Sequence, residues 1–238
     1  MKLYYFLFIF QCVNGFISNN CIMNNKYFKN IDMRTSYESN YKNSKIIQGD
    51  SLQTWSFLNH PNSLKVKLNS EGRPYDAEIK LWQGPNNTPF KLRVYSENGY
   101  DRSFFTIIET HNNKNTICVS NIQDITFPFE ASVVTSNTHL SNFDYNIPVQ
   151  GNSLKTFLFN CITNRVHVLI NTDGRPLNCR IEILQGPDSI KQIIEIYSED
   201  GYYRPFFGIL ETPGYENVIN VINTASVEFP LFVSVLPN

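Results

Sequence analysis

The sequence predicts an all-β protein built from two tandem homologous β-sandwich-like domains. The first observation is a repeat: shifted by 102 residues, 48–136 aligns with 150–238 without a gap, and 35 of the 89 aligned pairs are identical. The second is the alternation of apolar and polar residues in short segments, spaced as in β-sandwiches and small barrels. The third is composition, since the 18 Phe and 13 Tyr residues favour strands.

Segment boundaries follow from the repeat and from the composition around it. Residues 1–15 contain one Lys and then an apolar run that is too short to span a bilayer, which predicts a signal peptide. Residues 16–47 begin with Phe and are Ser-rich and acid-poor, as in a plastid transit segment, and we expect them to form a disordered leader. Residues 48–136 and 150–238 are the two β-domains, and 137–149 is the linker. An ordinary secreted protein with an N-terminal tail is the alternative.

Six or seven strands are predicted in each repeat, separated by turn residues. In the first repeat the clearest segments are 64–68, 77–82, 91–95, 104–110, 116–121 and 129–134, and the second repeat contains their counterparts. The turns between them contain Gly-Arg-Pro, Gln-Gly-Pro and Glu-Asn-Gly or Glu-Asp-Gly, and Gly and Pro favour chain reversal. No stretch of useful length has helical periodicity.

Charge and cysteine usage exclude several classes of protein. A formal net charge of −1 does not supply the basic surface that a nucleic-acid partner requires. We expect no membrane association of the mature chain. The three cysteines beyond the leader are not retained between the repeats, so they do not form a disulfide framework. This usage favours a reducing plastid stroma over the extracellular space.

A catalytic or metal site common to both repeats should appear in both. None of the four histidines is retained, so we expect neither a shared metal centre nor a Cys–His nucleophile. The retained acids Glu97, Glu199, Glu109 and Glu211 could in principle form carboxylate pairs that cleave glycosides. The end of a strand explains Glu109 equally well. We therefore expect no catalytic residue, no metal ion and no cofactor.

Two retained arginines need an explanation beyond the turn that contains them. Arg73 and Arg175 lie in the Gly-Arg-Pro turns, and a turn does not require a guanidinium. They could pair with Glu97 and Glu199 within the unit or bond to backbone carbonyls there. They could instead bind a carboxylate of a neighbouring molecule, or take part in binding a small ligand.

Adjacent phenylalanines in each repeat are further interface candidates. Neighbouring strand residues point to opposite faces of a sheet, so one residue of Phe104-Phe105 and one of Phe206-Phe207 must lie away from the main core. We expect that residue at an interface, either between the repeats or between molecules. Arg102 and Arg204 are a second pair of retained arginines. The alternatives stated for Arg73 and Arg175 remain open for this pair.

Together these motifs resemble those of a known family. Each repeat carries Gly-Arg-Pro, then Gln-Gly-Pro, then Tyr-Ser-Glu-Asn/Asp-Gly, an Arg, Phe-Phe and Glu-Thr. Over residues 46–238 this pattern is similar to the pyrenoid shell proteins of diatoms and related algae with red-lineage plastids. The resemblance implies a non-enzymatic structural protein that assembles with itself into a sheet or shell around the Rubisco-containing pyrenoid and supports CO2 fixation. It also implies a location in the plastid stroma, at the pyrenoid periphery.

The partners expected from this resemblance are further copies of the chain, with Rubisco or other pyrenoid components as additional candidates. The alternative function is a tandem carbohydrate- or ligand-binding β-sandwich module, plastidial or secreted. Phe157 and Leu184 replace Trp55 and Trp82 in the second repeat, so an aromatic sugar-binding platform common to both repeats is not supported. An enzyme with two carboxylate-based sites is the third hypothesis.

Overall fold

The computed structural model describes residues 44–57, 59–111, 114–123, 127–136, 147–159 and 163–237. The predicted signal peptide, nearly all of the predicted leader, and most of the predicted linker lie outside these ranges. Within them the regular structure is two antiparallel sheets of eight strands each, which confirms the predicted all-β class. No helix that could cross a membrane occurs in the described ranges.

The described residues form sixteen strands. In the first repeat β1 to β8 span Lys45–Ile47, Ser51–Phe57, Ser63–Asn69, Tyr75–Trp82, Phe90–Ser96, Phe104–Glu109, Asn115–Asn121 and Phe129–Ser136. In the second repeat β9 to β16 span Ile147–Val149, Leu154–Leu158, Arg165–Asn171, Leu177–Gln185, Ile190–Ser198, Phe206–Glu211, Asn217–Asn223 and Leu231–Pro237. Each strand of the first repeat has its counterpart eight strands later, close to the 102-residue offset.

Both sheets run through both repeats. Sheet A has the strand order β1-β8-β3-β6-β14-β11-β16-β9, and sheet B has the order β10-β15-β12-β13-β5-β4-β7-β2. Each order is unchanged when it is reversed and every strand is replaced by its counterpart, so a local two-fold axis relates the repeats. Strands β6 and β14 meet at the centre of sheet A, and β5 and β13 meet at the centre of sheet B. The two repeats therefore share both sheets.

The pairing at these two junctions places equivalent residues opposite each other. In sheet A, Gly208 lies opposite its counterpart Thr106, and in sheet B, Glu195 lies opposite its counterpart Arg93. This register is the one that a two-fold axis between two copies of a strand requires. Thr106 Oγ1 also donates a hydrogen bond to Phe207 O, 2.7 Å away, across the junction.

The main core lies between the sheets and contains inward-facing residues of both repeats. Burial alternates along β4, β5, β12 and β15 of sheet B, as expected when one face of an antiparallel sheet packs against another sheet and the other does not. In β4, for example, the buried residues are Tyr75, Ala77, Ile79 and Leu81. One apolar cluster between the sheets extends across the junction. Because each fully buried large apolar side chain contributes about 1.5–3 kcal/mol, this shared core stabilises the repeats as one body.

The edges of the two sheets differ in length and composition. Sheet A ends in β1 and β9, which have three residues each, and β9 contains Pro148. Asn121 Nδ2 donates to Ile47 O at 3.1 Å, and Asn223 Nδ2 donates to Val149 O at 3.0 Å. These bonds hold the short strands in place. Sheet B ends in β2 and β10, which are longer and contain no Pro.

Strands β1 and β9 are not revealed by the sequence pattern. β9 lies within the predicted linker 137–149, and β1 precedes the predicted start of the first repeat at residue 48. Each pairs with the last strand of its own repeat, β1 with β8 and β9 with β16. A strand of three residues is too short for an alternating pattern to be recognised.

Close packing of the backbone explains a retained glycine in the turn before β6. The Arg73 carbonyl accepts a hydrogen bond from Gly99 N at 3.2 Å. A Cβ at residue 99 would lie 2.3 Å from Ser70 Oγ and 2.7 Å from the Tyr75 ring. In the second repeat, a Cβ at Gly201 would lie 2.6 Å from an equivalent hydroxyl. These glycines let two turns of one repeat pack directly against each other.

We expect Gly99→Ala to lower the free energy of unfolding by about 3 kcal/mol, because the added methyl group overpacks buried neighbours. Gly84→Ala is the matched control. Its φ of 74° is also unfavourable for alanine, but its Cβ would contact nothing within 4 Å, so we expect a loss of about 1 kcal/mol. Urea unfolding measures both values. Equal losses would contradict the packing explanation.

Candidate assembly surfaces and the repeat junction

Arg102 connects the two repeats from a buried position. Its side chain belongs to the turn before β6 and is 3% exposed. Nη1 donates to Glu211 O at 3.0 Å, and Nη2 donates to Gln185 Oε1 at 2.8 Å and to Asn217 Oδ1 at 2.9 Å. All three acceptors lie in the second repeat. Burial lowers the pKa of the Arg102 guanidinium, and the three acceptors compensate for its lost hydration.

Arg204 makes the reciprocal contact. Its Nη2 donates to Gln83 Oε1 at 2.9 Å, and Gln83 Nε2 donates to Asn115 Oδ1 at 2.8 Å. Arg204 is 9% exposed, and its Nε has no hydrogen-bond partner within the described ranges. The two arginines thus bridge the junction from opposite sides. The Arg102 guanidinium donates three hydrogen bonds across the junction, and the Arg204 guanidinium donates one.

The side-chain acceptors of these arginines, Gln83, Gln185 and Asn217, are absent from the site residues that the sequence analysis selected. A signal for them exists, because all three are retained at the 102-residue offset although strand and turn geometry do not require these amides. The pairing itself is hidden in the sequence, since Arg102 and Gln185 are 83 residues apart and belong to different repeats.

Glu97 also contacts the opposite repeat. Its carboxylate lies 2.7 Å from Lys191 Nζ, and its backbone N–H donates to Lys191 O at 3.0 Å. Glu199 N makes the equivalent backbone bond to Pro89 O at 2.9 Å. Pro89 replaces Lys191 at that position, so the second junction lacks this ion pair. Because Glu97 is half exposed, the pair contributes at most about 1 kcal/mol.

Arg73 and Arg175 remain at the surface in their turns. Arg175 Nη1 donates to Glu228 O at 2.9 Å, its guanidinium lies 5.3 Å from the centre of the Phe229 ring, and its Nε lies 3.6 Å from Asp173. These contacts connect the Gly-Arg-Pro turn to the loop before β16 within the second repeat. Arg73 and Arg175 are both exposed residues.

The paired phenylalanines divide between the two faces of sheet A. Phe104 and Phe206 lie in the main core between the sheets. Phe105 and Phe207 lie on the opposite face, in a second cluster whose other members are Ile107, Leu169 and Ile209. In the pairing of β6 with β14, Phe105 lies opposite Ile209 and Phe207 lies opposite Ile107. This outer cluster, which is buried, therefore spans the junction between the repeats.

His167 lies beside the outer cluster. Its ring centre is 5.9 Å from that of Phe207, and the residue is 7% exposed. Burial lowers the pKa of His167 to about 4, and the positive charge of Arg165 acts in the same direction. The imidazole is therefore neutral near pH 7. Its counterpart in the first repeat is Lys65, so the position does not form a site common to both repeats.

The retained acids and the described cysteines have structural surroundings. Glu211 Oε1 lies 2.9 Å from Arg165 Nε, and Glu109, which is 8% exposed, lies within the sheet A strand β6. Burial raises the pKa of the Cys118 and Cys179 thiols. Within the described ranges, no group of three His, Cys, Asp or Glu residues is placed to hold a metal ion.

The outer face of sheet B carries paired charges across the junction. Arg93 Nη2 lies 2.8 Å from Asp76 Oδ2, and its Nη1 lies 3.9 Å from Glu195 of the second repeat. Glu195 in turn lies 3.9 Å from Arg180. A depression of about 490 Å³ beside these residues is lined by both repeats. Its charged, open lining differs from the concave and mostly apolar pockets that bind small molecules.

Comparison with known proteins places these features in a family. A family model described as diatom pyrenoid shell protein matches residues 37–237. The chain belongs to the diatom pyrenoid shell protein family. The match spans both repeats and confirms the resemblance that the sequence motifs indicated. The family's description is compatible with a structural role and with an association with the plastid pyrenoid.

Other comparisons add little to this assignment. No curated protein matches the shell-family chain. Among solved structures, one similar chain is that of the crystal structure of infectious bursal disease virus VP2 subviral particle. It shares 10% sequence identity over 81% of this chain and 67% of that chain, with a TM-score of 0.16. A TM-score this low carries no argument about fold or function.

We expect Arg102→Ala to lower the free energy of unfolding by about 3 kcal/mol, because it leaves buried acceptors of the second repeat unpaired. Arg204→Ala should cost less, since Arg204 makes fewer bonds. Arg175→Ala is the surface control and should cost under about 1 kcal/mol. Urea unfolding measures all three. A loss at Arg102 no larger than that at Arg175 would show that the bridge contributes little.

The buried His167 predicts a pH dependence of stability. Its ordinary pKa is about 6.5 and its folded-state pKa is about 4, so between these values the unfolded chain binds the proton more strongly. Stability from this group is complete above about pH 6.5 and falls by about 3 kcal/mol as the pH decreases to about 4. His167→Leu should remove this component from urea unfolding curves recorded across the range. Parallel pH profiles for both proteins would refute the assignment.

Proposed function

We propose that this chain is a non-enzymatic structural protein that self-assembles into a sheet or shell in the plastid stroma, around the Rubisco-containing pyrenoid, and so supports CO2 fixation. Family membership over residues 37–237 carries the proposal. That range includes both repeats and all sixteen described strands. The first partner is a further copy of the chain, and Rubisco or another pyrenoid component is a second.

The symmetry of the molecule supports assembly. Two repeats related by a local two-fold axis present similar surfaces in two places. When such surfaces meet those of other copies without closing a ring, an extended assembly results. The terminal strands of sheet B, β2 and β10, lie at opposite ends of the molecule. Contacts at both ends can therefore continue from one copy to the next.

Electron microscopy of the purified protein tests this function. We expect sheets or tubes to form as the protein concentration rises. A protein that remains monomeric at every concentration would contradict the proposal, and glycan-array binding without assembly would favour the alternative of a ligand-binding module. In algal cells, a fluorescent fusion should outline the pyrenoid, whereas a fusion found outside the plastid would refute the location.

The exposed turn arginines give a residue-level prediction. We expect Arg73→Ala combined with Arg175→Ala to raise the critical concentration for assembly about tenfold, as for the loss of about 1.4 kcal/mol, because each guanidinium can bind a neighbour's carboxylate. The double substitution to Lys, which keeps the charge, is the matched control. Sedimentation measures the critical concentration. No change in the alanine variant would remove these residues from the assembly contact.

A further inference from the structure

The two edges of sheet B lack most of the features that keep exposed edge strands from pairing. Natural edge strands are blunted by shortness, by Pro, by charged residues or by bulges. Sheet A shows such features, with three-residue edges and Pro148 in β9. β2 has seven residues, Ser-Leu-Gln-Thr-Trp-Ser-Phe, without charge or Pro, and β10 has one charged residue, Lys155. Among the strands that the structure describes, sheet A is thus closed to strand addition while sheet B is open.

Alternate residues of β10 direct their backbone groups away from the molecule. Asn223 N donates to Ser153 O at 2.9 Å, which identifies the hydrogen-bonded positions between this segment and β15. Hydrogen-bonded and non-hydrogen-bonded residues alternate along an antiparallel pair, so Lys155 and Phe157 also bond to β15. The residues whose N–H and C=O groups point to the open edge are Leu154, Thr156 and Leu158.

The same argument applies to β2. Ile122 N donates to Asp76 O at 3.0 Å, so the even-numbered residues of β7 bond to β4 and the odd-numbered residues bond to β2. Odd-numbered residues of β2 lie opposite odd-numbered residues of β7, as in the pair Trp55 and Ile117. The residues of β2 whose backbone groups point to the open edge are therefore Leu52, Thr54 and Ser56.

Apolar side chains accompany these open backbone groups. Leu52 is 53% exposed, Leu154 is 53% exposed and Leu158 is 77% exposed. All three lie on the outer face of sheet B, at its two ends. An added strand would satisfy the backbone groups and cover part of this apolar surface at the same time.

We propose that β2 of one copy pairs in antiparallel orientation with β10 of the next copy, which extends sheet B from molecule to molecule. This inference rests on the proposed self-assembly and names the surface that performs it. The register places Thr54 opposite Thr156. It also places Leu52 opposite Leu158, and Ser56 opposite Leu154. Every pair in this set consists of two residues whose backbone groups point to an open edge.

The proposed contact between copies has the same geometry as the junction between the two repeats inside one molecule. There, equivalent residues of the two repeats lie opposite each other at the centre of each pairing, as Arg93 and Glu195 do. Thr54 and Thr156 are equivalent at the 102-residue offset. The contact between copies therefore repeats the arrangement that already joins the repeats within one copy.

Lys155 favours pairing of β10 with β2 over pairing of β10 with itself. In the proposed register Lys155 lies opposite Trp55, which carries no charge. Two β10 strands centred on Thr156 would instead bring two Lys155 side chains to diagonal positions on the same face. Because β2 and β10 lie at opposite edges of one copy, the contact is heterologous and extends from copy to copy unless it closes into a ring.

A proline substitution tests the contact. Thr156→Pro removes the N–H that faces the open edge but leaves the bonds of Lys155 and Phe157 to β15. Thr156→Val is the matched control, because it keeps the N–H and, like the proline, removes the side-chain bond from Thr156 Oγ1 to Asn220 Oδ1 at 2.8 Å. We expect the critical concentration for assembly to be at least about tenfold higher for Thr156→Pro than for Thr156→Val. We expect the same difference between Thr54→Pro and Thr54→Val.

Disulfide cross-linking keeps the test decisive if a proline variant fails to fold. Directly opposite residues of a hydrogen-bonded pair have Cα atoms about 5.5 Å apart, which a disulfide can span. The double variant Thr54→Cys, Thr156→Cys should therefore give a ladder of covalent multimers when its assemblies are oxidised, and each single variant should not.

The outcomes separate this inference from the proposed function. If the wild-type chain assembles, the proline variants assemble equally well and the double-cysteine assemblies give no ladder, strand pairing is wrong and the structural function stands. If the wild-type chain does not assemble at all, both are wrong. Loss of assembly in folded proline variants, or the covalent ladder, supports the edge contact.

Discussion

The pairing of β6 with β14 and of β5 with β13 is the interaction on which the rest of the structure depends. It converts two four-stranded halves of each sheet into a sheet of eight strands and lets both repeats share one core. It also brings Arg102 within 2.8 Å of Gln185 and Arg204 within 2.9 Å of Gln83. Because both junctions lie at the centre of the molecule, the outermost strands of each sheet lie at its ends.

In this member of the pyrenoid shell family, the features retained between the repeats are turns, junction contacts and strand faces. The charged groups on the outer face of sheet B are paired with one another, as at Arg93 and Asp76, so that face is polar without a strong net charge. Under the proposed function, the information that specifies assembly lies at the edges and in the exposed turns.

Local features of the fold could be predicted from the sequence, whereas its long-range features could not. The alternation in β4 and β5 identifies those strands, and the retained Gly99 marks a turn. Adjacent Phe104 and Phe105 had to occupy opposite faces, and the structure places them so. The sharing of sheets depends on contacts between residues about 100 positions apart, for which a single sequence contains no pairing signal. The same distance hides the partners of Arg102, and the three-residue β1 and β9 are too short to show a period.

The claim that the repeats form one body can be tested with the two tryptophans of the chain. Trp55 and Trp82 both lie in the first repeat, so their fluorescence reports unfolding there, whereas far-UV circular dichroism reports both repeats. In urea, at protein concentrations too low for assembly, the shared sheets predict one cooperative transition with the same midpoint for both probes. Two separate transitions, with the fluorescence change complete while half of the β-sheet signal remains, would contradict the account.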